Sequence, residues 1–303
     1  MFQIGGWCYE ENDAKNTLTK VAGSIMDNSH FCFFACKCTN KSLYAQNAYL
    51  YRSFYIMALI HSFEKSGNWL FRYRGQLPVV LFLTAIPVLW LTSTRGIASN
   101  VMLAISIGAI AISFTGLIIR AIAIGTTPKG TSGRNTKGQV AESLNTSGIY
   151  SCLRHPLYLG NYLMWIGIVI FTFNVEFIVI VSLAFWLYYE RIMFAEERFL
   201  EAKFGKNYMD WSLSVPAFIP SLLNYKPGNT PFSFISILRR EYSGVFATVF
   251  GFAFIDNLRF WSQEGMYQFD RIANYILLAA FLLMLVLRTV KHTTSMLNED
   301  DRS

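Results

Sequence analysis

Long runs of apolar residues follow one another along the chain, separated by short basic or glycine-rich breaks. A run of about 18 apolar residues is long enough to cross a bilayer as a helix, and several of these runs approach or exceed that length. The pattern predicts six transmembrane helices, at residues 77–90 (extending as far as 93), 101–124, 157–173, 176–194, 244–260 and 273–290. The expected fold class is all-α, a polytopic membrane helical bundle.

The composition agrees with this pattern. Of the 303 residues, 53% are hydrophobic and 15% are charged, whereas a soluble domain carries about 25% charged residues. The predicted spans therefore leave little room for a soluble domain. We divide the chain into an N-terminal cytoplasmic or interfacial segment (1–75), a first pair of spans (76–124), a central part with the third and fourth spans (125–225), and a last pair of spans with a tail (226–303).

Basic residues cluster on one side of the predicted spans. They precede the first span, fill the loop between the second and third spans, and follow the fourth span, whereas the opposite side receives only Arg95, Arg259 and Arg271. Because cytoplasmic flanks retain positive charge, both termini are expected in the cytoplasm. The net charge of +7 is then a consequence of membrane topology. We expect the bilayer as a partner and no nucleic acid.

The first 56 residues are polar and hold four of the five cysteines, namely Cys8, Cys32, Cys36 and Cys38. Their spacing leaves a metal site or a disulfide open, but no second Cys or His pair follows, and reduced cysteines without a special role are the commoner case. We predict no metal site. No secretory signal pattern is evident at the N-terminus, and we hypothesise that the native chain begins at Met57.

Three segments beside the spans carry further expectations. Residues 61–76 mix aromatic and basic residues, which suits an interfacial helix with Trp69, Phe71 and Tyr73 at headgroup depth and Arg72 and Arg74 in water, although an ordinary juxtamembrane anchor is the commoner explanation. Arg120 lies near the end of the second span, so its side chain either reaches the interface or faces a polar cavity in the bundle. The polar loop 125–147 is long enough to have a function, either to cover a cofactor or to meet a headgroup.

The third and fourth spans are separated only by Asn174 and Val175. Such a short connection predicts a tight antiparallel hairpin whose two outer ends meet at the cytoplasmic face. The hairpin brings Arg154 and His155, which precede the third span, close to three glutamates at the end of the fourth: Glu190, Glu196 and Glu197.

The sequence before the third span is suited to binding an anion. Pro156 fits the first turn of a helix, where its missing N–H costs nothing. Arg154 and His155 then lie at a helix N-terminus, which carries a partial positive charge, and a guanidinium matches a carboxylate such as that of S-adenosylmethionine. Gly160 and Gly167 share one helix face and allow close approach of a flat group or of another helix; for Gly167 the helix is the commoner explanation.

Several glutamates lie at the end of the fourth span and just after it. Glu190, Glu197 and Glu201 share one helix side by spacing, while Glu196 points elsewhere. A solvated helix face explains such charges in most proteins. Here they leave a membrane helix beside His155, where carboxylates can pair with a sulfonium, accept hydrogen bonds from ribose hydroxyls, or hold the histidine.

Residues 148–220 resemble the superfamily of isoprenylcysteine carboxyl methyltransferases and phospholipid methyltransferases. The matching text is Gly148-x-Tyr150, Arg154-His155-Pro156-x-Tyr158-x-Gly160, Glu196-Glu197-x-x-Leu200, Phe204-Gly205-x-x-Tyr208 and Val215-Pro216, ending at Pro220, with Trp211 where the family commonly has tyrosine. The resemblance covers about a quarter of the chain, and agreement of both order and spacing is more specific than any one motif.

The resemblance implies a membrane enzyme that encloses S-adenosylmethionine at the cytoplasmic face and admits a lipid or lipid-linked acceptor from the bilayer. It implies these cofactor-binding residues: Tyr150, Arg154, His155, Tyr158, Leu159, Gly160, Glu190, Glu196 and Glu197. The candidate catalytic residues are Arg154, His155 and Glu197. Arg154 can position an anionic acceptor. His155 either removes a proton from an amine or hydroxyl acceptor or is only a pocket residue that donates hydrogen bonds.

Two rival functions remain open at this stage. Sterol and steroid reductases also place an Arg-His-Pro-x-Tyr-x-Gly motif at a helix start, and bind a nicotinamide cofactor. A transporter or scaffold is a non-enzymatic alternative, although neither internal repeats nor broken helices support it. We favour methyl transfer in a bacterial inner membrane. The acceptor and the oligomeric state cannot be read from the sequence.

Overall fold

The computed structural model describes residues 58–94, 96–128, 139, 141–228 and 230–299. These residues lie in Ile56–Ser303, one of the two units into which the chain divides. They form α-helices and short 3-10 turns, and this described part of the chain contains no β-strand, so the predicted all-α class is confirmed. The predictions about the N-terminal cysteines and the start at Met57 lie outside the described residues.

Eight α-helices follow one another along the described residues. They are α1 (58–73), α2 (Leu77–Leu91), α3 (Ser99–Gly125), α4 (Pro156–Ile170), α5 (Val175–Phe204), α6 (Lys206–Ser214), α7 (Phe234–Glu264) and α8 (Ile272–Thr293).

Three of these helices are long and apolar enough to cross a membrane: α3, α5 and α8, with 27, 30 and 22 residues. At about 1.5 Å per residue each of them exceeds the roughly 30 Å of a hydrocarbon core. Two shorter apolar helices, Val79–Leu91 and Pro156–Ile170, cover the predicted first and third spans. The count of six spans stays a prediction.

Helices α3 and α4 approach each other closely because glycines lie where they cross. A Cβ on Gly116 of α3 would lie 2.6 Å from the Gly160 carbonyl oxygen, and one on Gly167 of α4 would lie 2.4 Å from the Ala109 carbonyl oxygen. The Ser113 hydroxyl donates to the Met164 carbonyl oxygen at 2.7 Å across this contact. Of the two alternatives for Gly167, the structure confirms contact with another helix.

The connection between α4 and α5 is a turn of four residues, 171–174. Phe173 has a positive φ of 60°, and the Asn174 side chain caps α5 by accepting from the Phe177 N–H at 2.6 Å. The predicted hairpin is confirmed, with Val175 already inside the helix. Helix α5 continues to Phe204, ten residues past the end of the predicted span. These added residues include Glu196 and Glu197.

Helix α7 begins at Phe234, ten residues before the predicted fifth span. The added turns carry Arg239, Arg240 and Glu241, and α7 packs against α2 and α3. A ring cluster joins α2 to α7, with the Phe82 ring 5.3 Å from the rings of both Phe250 and Phe254. The sequence pattern missed these turns because charged residues interrupt the apolar run.

We predict that Gly116→Ala destabilises the fold. The new methyl group would meet two backbone atoms of α4, at 2.6 and 2.7 Å, and such overpacking costs about 1–3 kcal/mol. Thermal unfolding of the purified protein in detergent should show a lower midpoint. Gly108→Ala is the matched control in the same helix, because a Cβ there has no neighbour within 4 Å. Equal midpoints for the two variants would contradict this account of the α3–α4 contact.

Candidate active site

A cavity of about 210 Å³ lies where the start of α4 meets the acidic half of α5. Its walls come from α1, α3, α4, α5, α6 and α7 and from the described end of the polar loop, including Ala141 and Asn145. The loop predicted to cover a cofactor therefore lines this cavity, as far as its described residues show.

His155, the N-cap residue of α4, stands between two adjacent carboxylates of α5. Its Nε2 atom lies 2.9 Å from Glu197 Oε1, and its Nδ1 atom lies 3.7 Å from Glu196 Oε2. Glu197 also lies 3.3 Å from Arg154 Nε. The imidazole is buried, with 5% of its side chain exposed. Pro156 explains this placement of Arg154 and His155. Because Pro156 starts α4, the two residues before it lie at the helix N-terminus.

The backbone before α4 is held by the segment after α6. The N–H groups of Arg154 and His155 donate to the carbonyl oxygens of Pro216 and Ala217, at 2.9 and 3.2 Å. These bonds satisfy donors that a helix start would otherwise leave without partners. The matching text at Val215-Pro216 thus lies directly beside the Arg-His-Pro motif, although 60 residues separate them in sequence.

Three tyrosines surround the carboxylates. The Tyr158 hydroxyl donates to Glu196 Oε2 at 2.8 Å. Burial raises the pKa of Tyr150 to about 12, and the negative charge of Glu196 adds to the shift. Burial, and then the charge of Glu197, raise the pKa of Tyr208 above its ordinary value. Tyr150 and Tyr208 therefore stay protonated at neutral pH and can act as hydrogen-bond donors.

A buried ion pair forms another wall of the cavity. The Arg120 guanidinium donates from Nε and Nη2 to the two Glu241 oxygens at 2.8 and 2.6 Å, and from Nη1 to Asn161 Oδ1. The Asn161 amide in turn donates to the Tyr189 hydroxyl at 3.2 Å. Of the two alternatives for Arg120, the structure supports the polar cavity.

Sequence reasoning missed Glu241, Asn161 and Arg240, which all line the cavity. Glu241 and Arg240 are buried, with 4% and 6% exposed. A signal was present, because charged residues inside an otherwise apolar membrane helix usually face a partner or a cavity. The sequence could not identify the partner of Arg120, since Glu241 lies 121 residues further along the chain.

The structure brings together most, but not all, of the predicted site residues. Those that line the cavity are Tyr150, Arg154, His155, Tyr158 and Glu196. Glu197 does not line it, and instead lies behind His155 and Arg154. Leu159 also lies outside the lining. Gly160 serves helix packing, because a Cβ there would lie 2.4 Å from Arg120 Cγ.

Two placements correct the expectations. Glu196, expected to point elsewhere, lines the cavity, whereas Glu190 is exposed and does not. Phe71, expected at headgroup depth, is 3% exposed and lines the cavity with Arg74, whose guanidinium stacks on the Phe71 ring at 3.8 Å. Trp69 and Tyr73 are four residues apart and share the exposed side of α1, so the helical period directs Phe71 inward.

The central part of the chain is similar to known proteins. Residues 99–207 match the phospholipid methyltransferase family model. The protein-S-isoprenylcysteine O-methyltransferase of Tribolium castaneum is 35% identical over 83 residues, which are 27% of this chain and 30% of that protein. The matched segment is therefore similar to the superfamily that the motifs predicted.

Two further relatives also match part of the chain. The protein-S-isoprenylcysteine O-methyltransferase of Dictyostelium discoideum is 32% identical over 122 residues, 38% of this chain and 49% of that protein. The cobalt-zinc-cadmium resistance protein CzcN of Cupriavidus metallidurans is 34% identical over 104 residues, 34% of this chain and 48% of that protein. The alignments thus span less than half of these relatives' length. No solved structure matches the chain.

The long apolar helices and the membrane methyltransferase family together identify the chain as an integral membrane protein. The short apolar helix α4 and the helix α7 also contribute to the cavity walls. Across the residues that the structure describes, no group of three or more His, Cys, Asp or Glu side chains is placed to hold a metal ion.

We predict that Glu241→Ala destabilises the protein by at most about 3–5 kcal/mol, because the truncation leaves the Arg120 charge, whose side chain is only 18% exposed, without its carboxylate. Thermal unfolding in detergent measures this effect. Arg198→Ala is the control, since it breaks the exposed Arg198–Glu201 pair, whose side chains are 44% and 36% exposed. An exposed pair contributes about 0–1 kcal/mol. The assignment of Arg120 to a buried network would be wrong if both variants unfolded at the same temperature.

Proposed function

We propose that this protein transfers a methyl group from S-adenosylmethionine to a lipid or lipid-linked acceptor at the membrane. The observation that carries the proposal is the junction of the start of α4 with α5, in the segment that matches the methyltransferase family model: His155 Nε2 lies 2.9 Å from Glu197, and Glu196, which lines the cavity with Arg154 and His155, accepts from the Tyr158 hydroxyl at 2.8 Å. The junction combines a guanidinium, which can bind an anion, with carboxylates, which can bind a cation. A ligand that carries both charges needs both kinds of group.

The residues present fit S-adenosylmethionine. Arg154 and the start of α4 suit its carboxylate, while Glu196 suits its positive charge. The indole N–H of Trp211 is buried and lines the cavity, and it makes no hydrogen bond within the described part of the chain. A buried donor without a partner is costly, so a ligand acceptor there would be favourable. When bound, the cofactor supplies an electrophilic methyl group on sulfur.

For His155 we propose a positioning role. Its Nε2 atom lies 2.9 Å from Glu197 and its Nδ1 atom lies 3.7 Å from Glu196, so both ring nitrogens are turned toward carboxylates of α5. Glu197 contacts His155 and Arg154 but does not line the cavity, so we propose that it orients both side chains. Arg154 lines the cavity and is free to meet either the cofactor or an anionic acceptor.

The protein's contribution to rate is then mainly alignment and exclusion of water, because methyl transfer at a sulfonium carbon demands little else of the enzyme. Buried side chains such as Phe71 and Tyr158 form part of the cavity wall and keep water out. An acceptor that is already an anion needs no base. We propose a bacterial inner membrane location with both termini and the cavity on the cytoplasmic side, based on the distribution of Lys and Arg.

A nicotinamide-dependent reductase is the less favoured alternative. The Arg-His-Pro motif fits it, but the family match and the isoprenylcysteine methyltransferase relatives favour methyl transfer. The charged contacts around His155 do not favour a transporter or a scaffold. Titration of purified protein with each cofactor separates these functions: saturable NADPH binding without S-adenosylmethionine binding would favour the reductase.

We predict that Glu196→Gln weakens binding of S-adenosylmethionine at least tenfold, because the substitution removes the negative charge that faces the cavity. Isothermal titration calorimetry in detergent measures the affinity. Glu190→Gln is the matched control on the same helix, since Glu190 is exposed and does not line the cavity. Equal affinities for the two variants would remove Glu196 from the cofactor site.

We further predict that cells expressing the protein incorporate isotopically labelled methyl groups from methionine into a lipid fraction that cells without the gene do not label. Cells carrying Arg154→Ala should lose this incorporation, because the variant lacks the cation at the start of α4. Chromatography and mass spectrometry of lipid extracts would identify the labelled species and hence the acceptor. Unchanged lipid labelling across all three strains would count against a lipid acceptor.

A further inference from the structure

A group of exposed apolar side chains lies outside the long helices, on the segment that follows Trp211. We call it the apolar patch, and it consists of Leu213, Ile219, Leu222, Leu223 and Tyr225, which are 82%, 79%, 78%, 99% and 60% exposed. Scattered apolar residues are normal on a protein surface, but a contiguous group usually marks an interaction site. None of these residues lines the cavity.

The segment that carries the patch is held in place by hydrogen bonds. The Asn224 amide donates to the Ser214 carbonyl oxygen at 2.9 Å, which joins the two ends of the patch. The Ser221 N–H donates to the Cys152 carbonyl oxygen at 2.9 Å, and the Lys226 N–H donates to the Ser151 hydroxyl at 2.8 Å. The apolar side chains are therefore presented outward by an ordered backbone.

The segment reaches back along the membrane helices. The Phe218 ring stands 5.5 Å from the Trp186 ring of α5 and 6.1 Å from the Tyr162 ring of α4. Trp186 lies eight residues before Phe194, the end of the predicted fourth span, and eight helical residues measure about 12 Å along the axis. Phe218 thus packs beside a residue of the predicted fourth span, and its neighbour Ile219 belongs to the apolar patch.

The charges around the patch complement an anionic lipid surface. Residues 198–226 hold four basic residues and two acidic ones, and the basic residues Lys206 and Lys226 are exposed on either side of the patch. Apolar side chains flanked by lysines are typical of segments that lie in the headgroup region, with the apolar part among the acyl chains and the ammonium groups at the phosphates.

We propose that the apolar patch inserts into the cytoplasmic leaflet as a third kind of membrane contact, in addition to the spanning helices and α1. The partner is the lipid surface itself. Because Pro216 and Ala217 of the same segment accept hydrogen bonds from the backbone N–H groups of Arg154 and His155, insertion fixes the depth of the start of α4 relative to the acyl chains. This proposal concerns lipid contact and does not depend on methyl transfer.

Photolabelling tests the proposal without any need for catalysis. The full chain is reconstituted into vesicles of phosphatidylcholine and phosphatidylglycerol that contain a phosphatidylcholine with a diazirine in its acyl chain, near the carbonyl end. After irradiation, mass spectrometry locates the adducts. We expect adducts on Ile219, Leu222 or Leu223. Exposed Leu103 of α3 and Leu283 of α8 are internal positive controls, and exposed Glu142 of the polar loop, which does not line the cavity, should stay unlabelled.

Leu223→Asp provides the second arm. The side chain is 99% exposed, so the variant should unfold in detergent at the same temperature as the unmodified protein, while adducts on residues 219–225 should fall at least fivefold. Met296→Asp adds the same charge at an apolar residue that is 74% exposed outside the patch, and should leave those adducts unchanged. The proposal is overturned if Leu103 and Leu283 are labelled and the patch is not. It is equally overturned if the patch excludes lipid and cross-links instead to a second copy of the chain.

Discussion

The contact on which the candidate site depends is a buried histidine held between two adjacent carboxylates. His155 lies at the start of α4, and Glu196 and Glu197 lie on a helix that returns from the far side of the bundle. Three features must hold together for the contact to form: a proline that starts one helix, a four-residue turn that reverses the chain, and a second helix long enough to continue past the first. Each of these features is local in sequence, while the contact is not.

Several charged groups around the cavity are paired with one another. Taking charges away from water is expensive unless each one finds a partner and the remaining hydrogen-bonding positions are filled. Arg120 meets both oxygens of Glu241 together with Asn161, and Arg154 shares Glu197 with His155. The cavity walls are therefore both charged and ordered. Such a site presents fixed dipoles to a charged ligand and does not need to reorganise when the ligand binds.

Close helix contact is what allows these pairs to form. Gly116 and Gly160 let α3 and α4 approach so closely that a Cβ at either position would overlap the other helix. The Arg120 side chain packs against Gly160 and contacts Glu241 beyond it. Helix α7 lies outside the segment that matches the methyltransferase family, which ends at residue 207, yet it completes the wall through Glu241. The segment that matches the family and α7 thus both contribute walls to one cavity.

The sequence by itself determined the all-α class, the hairpin and the closeness of the Arg-His-Pro motif to Glu196 and Glu197, but it missed the first turns of α7. It could determine these features because apolar run length, proline position and a two-residue gap are local signals that membrane burial enforces. Only the tertiary structure decided that Phe71 and Glu196 face the cavity, that Glu190 does not, and that Glu241 is the partner of Arg120. Those outcomes depend on how each helix is rotated about its axis against neighbours far away in sequence, and helical periodicity fixes which residues share a face but not which face turns inward.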